Sequence, residues 1–318
     1  GHIYRFTGKN WEPDTDTEHG NFDYLMGMNV DVDDPRVAEE LRKWLKWYIE
    51  TTGVDGLRLD AVKHISFSFY RELLRATREA TGRALPAVGE YWSGDIEKLL
   101  HYLDTVENSM SLFDVALHYN FYHASCEKEH YDLRHILENA LVSRRPENAV
   151  TFVDNHDTQY GQSLQSFVED WFKPLAYALI LLRREGMPCV FYSDYYGNPV
   201  YDRPLVPDLG KQMKLRRSYA YGEQEDYFDD PNSVGWVRRG DAEHPGSGLA
   251  VVLSNAEATV KRMMLGPAFA GQEFRDALGR CPETVLIDEN GFGDFRAEAR
   301  SAAVWVRADA FEDIVIHD

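Results

Sequence analysis

Short apolar runs alternate with longer amphipathic ones over the first two-thirds of this chain, and the alternation predicts its elements. Residues 1 to about 33 lack any period and are rich in Gly, Asn, Asp and aromatics, which predicts irregular loop. Asp34-Pro35 supplies an N-cap and a proline at the first helical position, so an amphipathic helix is expected to about Thr52. Strands are expected at the run ending at Asp60 and near 86–90, 111–115, 150–154 and 188–192. Helices are expected over 69–81 (stopped by Gly82), 96–104, 133–142, 164–185 (stopped by Gly186) and 208–219. Such alternation predicts βαβ units on a parallel sheet. Five strands are too few to close an eight-stranded barrel.

From about Gly222 the texture changes. Short alternating runs at 234–238, 249–254, 258–265, 273–276 and 303–306 sit between Gly, Pro and Asn turns. They predict a small antiparallel β-sandwich. The expected class is thus α/β: a partial TIM (β/α)8 barrel, its last five βα units, followed by that sandwich. The expected domains are 1–33 as the end of an inserted loop region, 34–221 as the C-terminal part of the barrel, and 222–318 as the sandwich.

Composition narrows the class of partner. The 318 residues are 44% hydrophobic and 13% aromatic, enough for a large core. The formal charge of −19 argues against nucleic acid and anionic membrane, both of which want a basic face. Cys126, Cys189 and Cys281 are too few and too scattered for a disulfide framework or zinc site, and Cys189 is expected as a buried thiol in a strand. No apolar run reaches the roughly 18 residues of a membrane span.

Three carboxylates end short apolar runs. Asp60 closes Gly56-Leu57-Arg58-Leu59, Glu90 closes Ala87-Val88-Gly89, and Asp157 follows Thr151 to His156. In α/β barrels the reacting side chains come from the C-terminal ends of several strands. Two acids flanking a scissile bond are what glycoside hydrolysis needs. Singly the signals are weak: an Arg-x-Asp is most often a structural ion pair, and a lone His a satisfied core residue. They gain weight by occurring together and in order.

The motifs carry a resemblance. Gly56 to His64 (GLRLDAVKH) resembles the nucleophile motif of the α-amylase family of glycoside hydrolases. Val88-Gly89-Glu90-Tyr91-Trp92 resembles its general-acid motif, and Phe152 to Thr158 (FVDNHDT) its third-carboxylate motif. Gly186 to Tyr192 (GMPCVFY) is similar to its last barrel strand. The likeness is strongest to bacterial liquefying and intracellular α-amylases. It implies endo-hydrolysis of α-1,4-glucan by a retaining double displacement. Asp60 would attack the anomeric carbon, with Arg58 aiming it from the same strand face. Glu90 would act as general acid and then base. Asp157 and His156 would bind the hydroxyls of the distorted sugar. Lys63 and His64 would contact neighbouring sugars, and Trp92 and Tyr91 are candidate stacking platforms, with core packing an equal reading for Tyr91.

The resemblance also implies a Ca²⁺ site in the acidic loop at 21–33, with Asp23, Asn29 and the backbone carbonyl of His64 as ligands. Asn29 stands where the family often has Asp, and Glu12 where liquefying amylases have Asp, so one ligand charge is lost. Against the family pattern, the chain is expected to begin after the third barrel strand. Little activity is then expected of it alone, whereas the full-length protein would be an active monomer. An α-glucan is the expected partner. The rivals are a maltodextrin-acting transglycosylase, which the same triad would serve, and a non-catalytic carbohydrate-binding scaffold. Free cysteines and the intracellular relatives favour the cytoplasm, with secretion the alternative.

Overall fold

Asp34 starts the first helix as expected. Its carboxylate accepts the Arg36 amide at 2.8 Å, and helix α1 (Pro35–Thr52) ends where Gly53 turns left-handed. The computed structural model describes residues 30–199 and 203–315. Two compact units divide the chain, one of residues 1–115 and 147–150, the other of 116–146 and 151–318.

In the first unit, α1 is followed by β1 (Leu57–Leu59), α2 (Phe67–Thr81), β2 (Ala87–Gly89), α3 (Ile96–Thr105) and β3 (Ser111–Phe113). The helices bury the stripe that the amphipathic pattern marks, for example Leu45 and Ile49 of α1 and Leu99 and Leu103 of α3. The strands run parallel. Leu57 pairs with Ala87, Arg58 with Val88 and Leu59 with Gly89; Gly89 then pairs with Leu112 of β3. Strand β4 (Ala149–Phe152) begins in this unit, where Ala149 pairs with Leu112 and Val150 with Phe113.

The second unit holds α4 (Val115–Glu127), α5 (Leu141–Arg144), the end of β4, α6 (Lys173–Leu182), β5 (Met187–Cys189), α7 (Tyr192–Tyr196) and α8 (Leu209–Ser218). The Thr151 hydroxyl donates to the Met187 carbonyl, and the parallel sheet has the order β1-β2-β3-β4-β5. Two helices differ from expectation. No helix covers 133–142, which holds a 3₁₀ turn at Leu133–His135 and the single turn α5. The helix of this connection is α4, which buries Val115, Leu117, Phe121 and Ala124 and so carries no polar stripe for a periodicity to mark. The helix expected at 164–185 starts at Lys173, because Pro174 has no amide to donate and fits only the first turn. Strand β5 ends the sheet. There Met187 is exposed and so is Cys189, against the expectation of a buried thiol; the three cysteines are free.

The remaining strands are β6 (Gln224–Asp230), β7 (Ser233–Arg238), β8 (Leu249–Ser254), β9 (Thr259–Met264), β10 (Glu273–Asp276), β11 (Thr284–Leu286), β12 (Phe292–Ala297) and β13 (Ser301–Arg307), and α9 (Ala308–Val315) follows them. Six form a sheet in the order β11-β10-β13-β8-β7-β6, and β12 pairs with β9. Val252, Met263, Phe274, Phe295 and Trp305 are fully buried in one apolar cluster between them. Buried Asp276 ties the layer together by accepting the amides of Leu278, Arg280, Cys281 and Val304 at 2.8 to 3.1 Å. Among the described residues no helix is long and apolar enough to cross a membrane.

Candidate active site

In the first unit, the ends of β1 and β2 carry Asp60 and Glu90. Parallel pairing continues past the strands: the Glu90 amide donates to the Leu59 carbonyl at 2.8 Å, and the Val62 amide to the Glu90 carbonyl at 3.0 Å. Since Arg58 faces Val88 in register, Asp60 and Glu90 occupy matching positions on one face of neighbouring strands. Their environments differ. Asp60 has a side chain 74% exposed and accepts Arg58 Nη1 at 2.7 Å, whereas Glu90 is only 7% exposed. Glu90 Oε2 accepts the amide of Ala61 at 2.8 Å. Ala61 reaches it by adopting φ 46°, ψ 42°, a left-handed conformation that costs a non-glycine residue about 1 kcal/mol. Gly89 leaves the room this needs. A Cβ there would lie 2.9 Å from Met110 Sδ and 3.0 Å from Leu112 Cδ2.

The 3₁₀ turn Val62–His64 carries the next two candidates. Lys63 is buried and its ammonium donates to the Trp92 carbonyl at 2.9 Å. It therefore fastens the chain after β1 to the chain after β2. His64 is half-buried. Trp92, 4% exposed, and Tyr91, buried against Phe67 and Tyr102, offer no open ring face. Both rings pack into the core here, which for Tyr91 is one of the two readings that the sequence offers. An aromatic directly after a strand-end carboxylate turns into the core as readily as outward, and the sequence does not distinguish the two.

The turn after β4, in the second unit, carries His156 and Asp157. Asn155 Oδ1 accepts the amides of Asp157 at 2.9 Å and Thr158 at 3.0 Å, which closes a tight turn and projects His156 and Asp157. Asp157 is about one-third exposed, and its Oδ2 lies 3.3 Å from His156 Nε2. Beneath them is a buried polar network that the sequence analysis did not single out. Asp154 accepts the Thr158 hydroxyl at 3.0 Å and the Val168 amide at 3.2 Å. Lys173 Nζ lies 3.0 Å from Asp154 and 2.6 Å from Asp194, whose other oxygen accepts the Tyr177 hydroxyl at 2.7 Å. Burial pushes the Asp154 carboxyl up to about 7 in spite of the lysine. The signal was available: Asp154 is a second acid inside the 152–158 motif, in an otherwise apolar strand end. Next to it His118 is fully buried, with Nδ1–H donating to the Val153 carbonyl at 2.7 Å and Nε2 against the Ser166 hydroxyl at 2.9 Å. Burial pulls its pKa down to about 4.

Of the expected calcium ligands, Asp23 and Asn29 lie outside the described residues, as does Glu12. Among the described residues no three His, Cys, Asp or Glu side chains gather as a metal-holding group. One carbonyl, that of His64, does not by itself suit an ion that takes six to eight oxygens.

Residues 2–207 match the alpha amylase catalytic domain, and residues 249–306 the alpha-amylase C-terminal domain. The chain belongs to the α-amylase family. Over 96% of its length this α-amylase family chain is 50% identical to an alpha-amylase of Geobacillus stearothermophilus, covering 56% of that protein. It is 47% identical to a glucan 1,4-alpha-maltohexaosidase of Bacillus sp. (strain 707), covering 59% of it. It is 43% identical to the cytoplasmic alpha-amylase of Escherichia coli K12, covering 63% of it. The chain thus spans about three-fifths of the length of these curated relatives. Among solved structures, the α-amylase of Geobacillus thermoleovorans complexed with acarbose superposes with a TM-score of 0.68 at 20% identity, covering 94% of this chain and 69% of that one. The α-amylase of Anoxybacillus gives 0.69 over 88% of this chain and 65% of that one, also at 20% identity. At that identity the likeness speaks for the fold alone.

Proposed function

We propose that the protein to which this chain corresponds hydrolyses internal α-1,4-glucosidic bonds of starch- or glycogen-like glucans with retention of configuration. The observation that supports this most is the register of β1 and β2. It puts Asp60 and Glu90 on the same face of strands that lie about 4.8 Å apart. A retaining pair needs its carboxyl groups roughly 5–5.5 Å apart, which side chains leaving adjacent strand ends can reach. Asp60, exposed and held by Arg58, attacks the anomeric carbon. Glu90, buried and held by the Ala61 amide, gives its proton to the leaving oxygen. A water then loses a proton to Glu90 and displaces Asp60 from the glycosyl-enzyme. Asp157 and His156 bind sugar hydroxyls as the ring flattens. Lys63, buried, acts by holding the two strand ends together, and His64 faces the neighbouring sugar. The relatives' printed activities, alpha-amylase and maltohexaosidase, favour an α-glucan over other sugars.

A calcium ion on Asp23, Asn29 and the His64 carbonyl belongs to the same proposal, and a lower melting temperature in chelator is its signature. The test of the activity is cleavage of a blocked maltooligosaccharide by this chain beside Asp60→Asn and Glu90→Gln. Loss in both variants supports the reading. Undiminished cleavage in either, or binding without cleavage by the unaltered chain, favours a carbohydrate-binding scaffold instead.

A further inference from the structure

We propose that the second unit binds a phosphoryl anion in an arginine-lined cleft. The cleft has a volume of about 380 Å³ and is lined by Arg183, Arg184, Arg216, Arg217 and Arg238, with Tyr221 at its side. Five guanidiniums converging on one place are unexpected in a chain of formal charge −19.

Two of the five are already balanced. Arg183 forks onto Asp226 at 2.7 and 2.8 Å and reaches Glu185 at 3.3 Å, and Arg184 lies 3.7 Å from Glu185. The other three touch no carboxylate. Arg216 donates to the Leu181 carbonyl at 2.6 Å. Arg238 donates to the carbonyls of Gly222 at 3.2 and 3.3 Å and Leu182 at 3.5 Å. The Arg217 guanidinium has no hydrogen-bond or ion-pair partner among the described residues.

A surface cation needs no counter-ion, and arginines in the last turn of a helix complement its dipole. That accounts for Arg216 and Arg217 at the end of α8. It does not account for Arg238, which lies on β7 and is only 5% exposed. Its hydrogen bonds all go to carbonyls, and Glu185, which also serves Arg183 and Arg184, acts on it only from a distance. A buried cation with no carboxylate bonded to it is costly unless an anion completes it. Burial depresses the Arg238 pKa to about 10, with Glu185 opposing the fall and Arg184, Arg216 and Arg183 adding to it.

The number and spread of the arginines select the ligand class. A carboxylate offers two oxygens and one charge, which one guanidinium fork satisfies. Three forks on two elements that bond no carboxylate suit a group with three or more oxygens and two charges, as a phosphoryl group has. The cleft lies by Arg183 and Arg184, just before β5, at the opposite end of the parallel strands from the turn after β4 that carries Asp157. The anion is therefore an effector or stabiliser and not the reacting substrate. The shared chemistry is that of inorganic phosphate, pyrophosphate or a sugar phosphate.

The test is titration calorimetry of the 318-residue chain with pyrophosphate, inorganic phosphate and glucose 6-phosphate at constant ionic strength, against chloride. Saturable binding of pyrophosphate is expected, weakened about tenfold or more by the exposed Arg217→Glu and by Arg238→Gln. Arg217 has no partner to lose, so that variant keeps its fold and the test stays decisive if Arg238→Gln does not fold. Tighter binding of glucose 6-phosphate than of phosphate supports a sugar phosphate, and equal binding supports the free ion. Absence of saturable binding, or an affinity unchanged in Arg217→Glu, overturns the proposal.

Discussion

The amide of Ala61 donates to Oε2 of Glu90 at 2.8 Å, so the residue after one strand-end acid holds the other. The left-handed backbone at Ala61 is what aims that amide. Glu90→Gln retains an oxygen that can accept it. We therefore expect this variant to keep the melting temperature of the parent within a few degrees while kcat falls about 10³-fold, the scale of general acid–base catalysis. A matched pair of melting curve and rate measurement checks both halves.

Gly89 is required by packing. Gly89→Ala brings a methyl to 2.9 Å from Met110 Sδ and 3.3 Å from Val62 Cγ1. A loss of roughly 1–3 kcal/mol is expected from overpacking. Denaturant unfolding measures it, and an unchanged midpoint would show that Met110 moves aside freely.

Lys173 lies between two buried carboxylates, Asp154 and Asp194. Lys173→Met leaves both without their cation. Breaking a buried pair in this way costs roughly 3–5 kcal/mol. Because Asp154 also anchors Thr158, the turn that carries Asp157 loosens, so KM for oligosaccharide rises in whatever protein still folds. Unfolding midpoints with and without oligosaccharide read out both effects.

His118 gives a pH dependence of defined sign. Its folded pKa of about 4 lies below the ordinary 6.5, so between these values the unfolded chain binds the extra proton. Its contribution is present in full above pH 6.5 and is lost as pH falls towards 4, amounting to roughly 3 kcal/mol. Unfolding free energies from pH 4 to 7 should rise with pH in the parent, and less steeply in His118→Gln.

Much of this was legible in the residues. The caps at Asp34 and Gly82, the five short strands and the strand-end acids follow from local rules that tertiary contacts do not override. Other features were hidden for physical reasons. Helix α4 mixes apolar and polar residues around its circumference and buries His118 and Ser125 with the apolar ones, so it has no clean stripe. Strand β6, QEDYFDD, is acidic and reads as loop, but pairs with apolar β7 through its backbone. Pro174 did mark the start of α6, and the long apolar stretch around it outweighed that mark. Lys63 binds the Trp92 carbonyl, a link between strands that no periodicity encodes. The network of Asp154, Lys173, Asp194 and Tyr177 joins residues far apart in sequence, so only its one member inside a motif could have been suspected.

The central claim is that Asp60 is the nucleophile of a retaining glycosidase. The most direct measurement is mass spectrometry of the protein after reaction with a fluorinated α-maltosyl fluoride, which forms the glycosyl-enzyme quickly and releases it slowly. A single glycosyl adduct on the peptide containing Asp60, absent from Asp60→Asn, is the predicted result. An adduct on another residue, or turnover to a product of inverted configuration with no adduct, would contradict it.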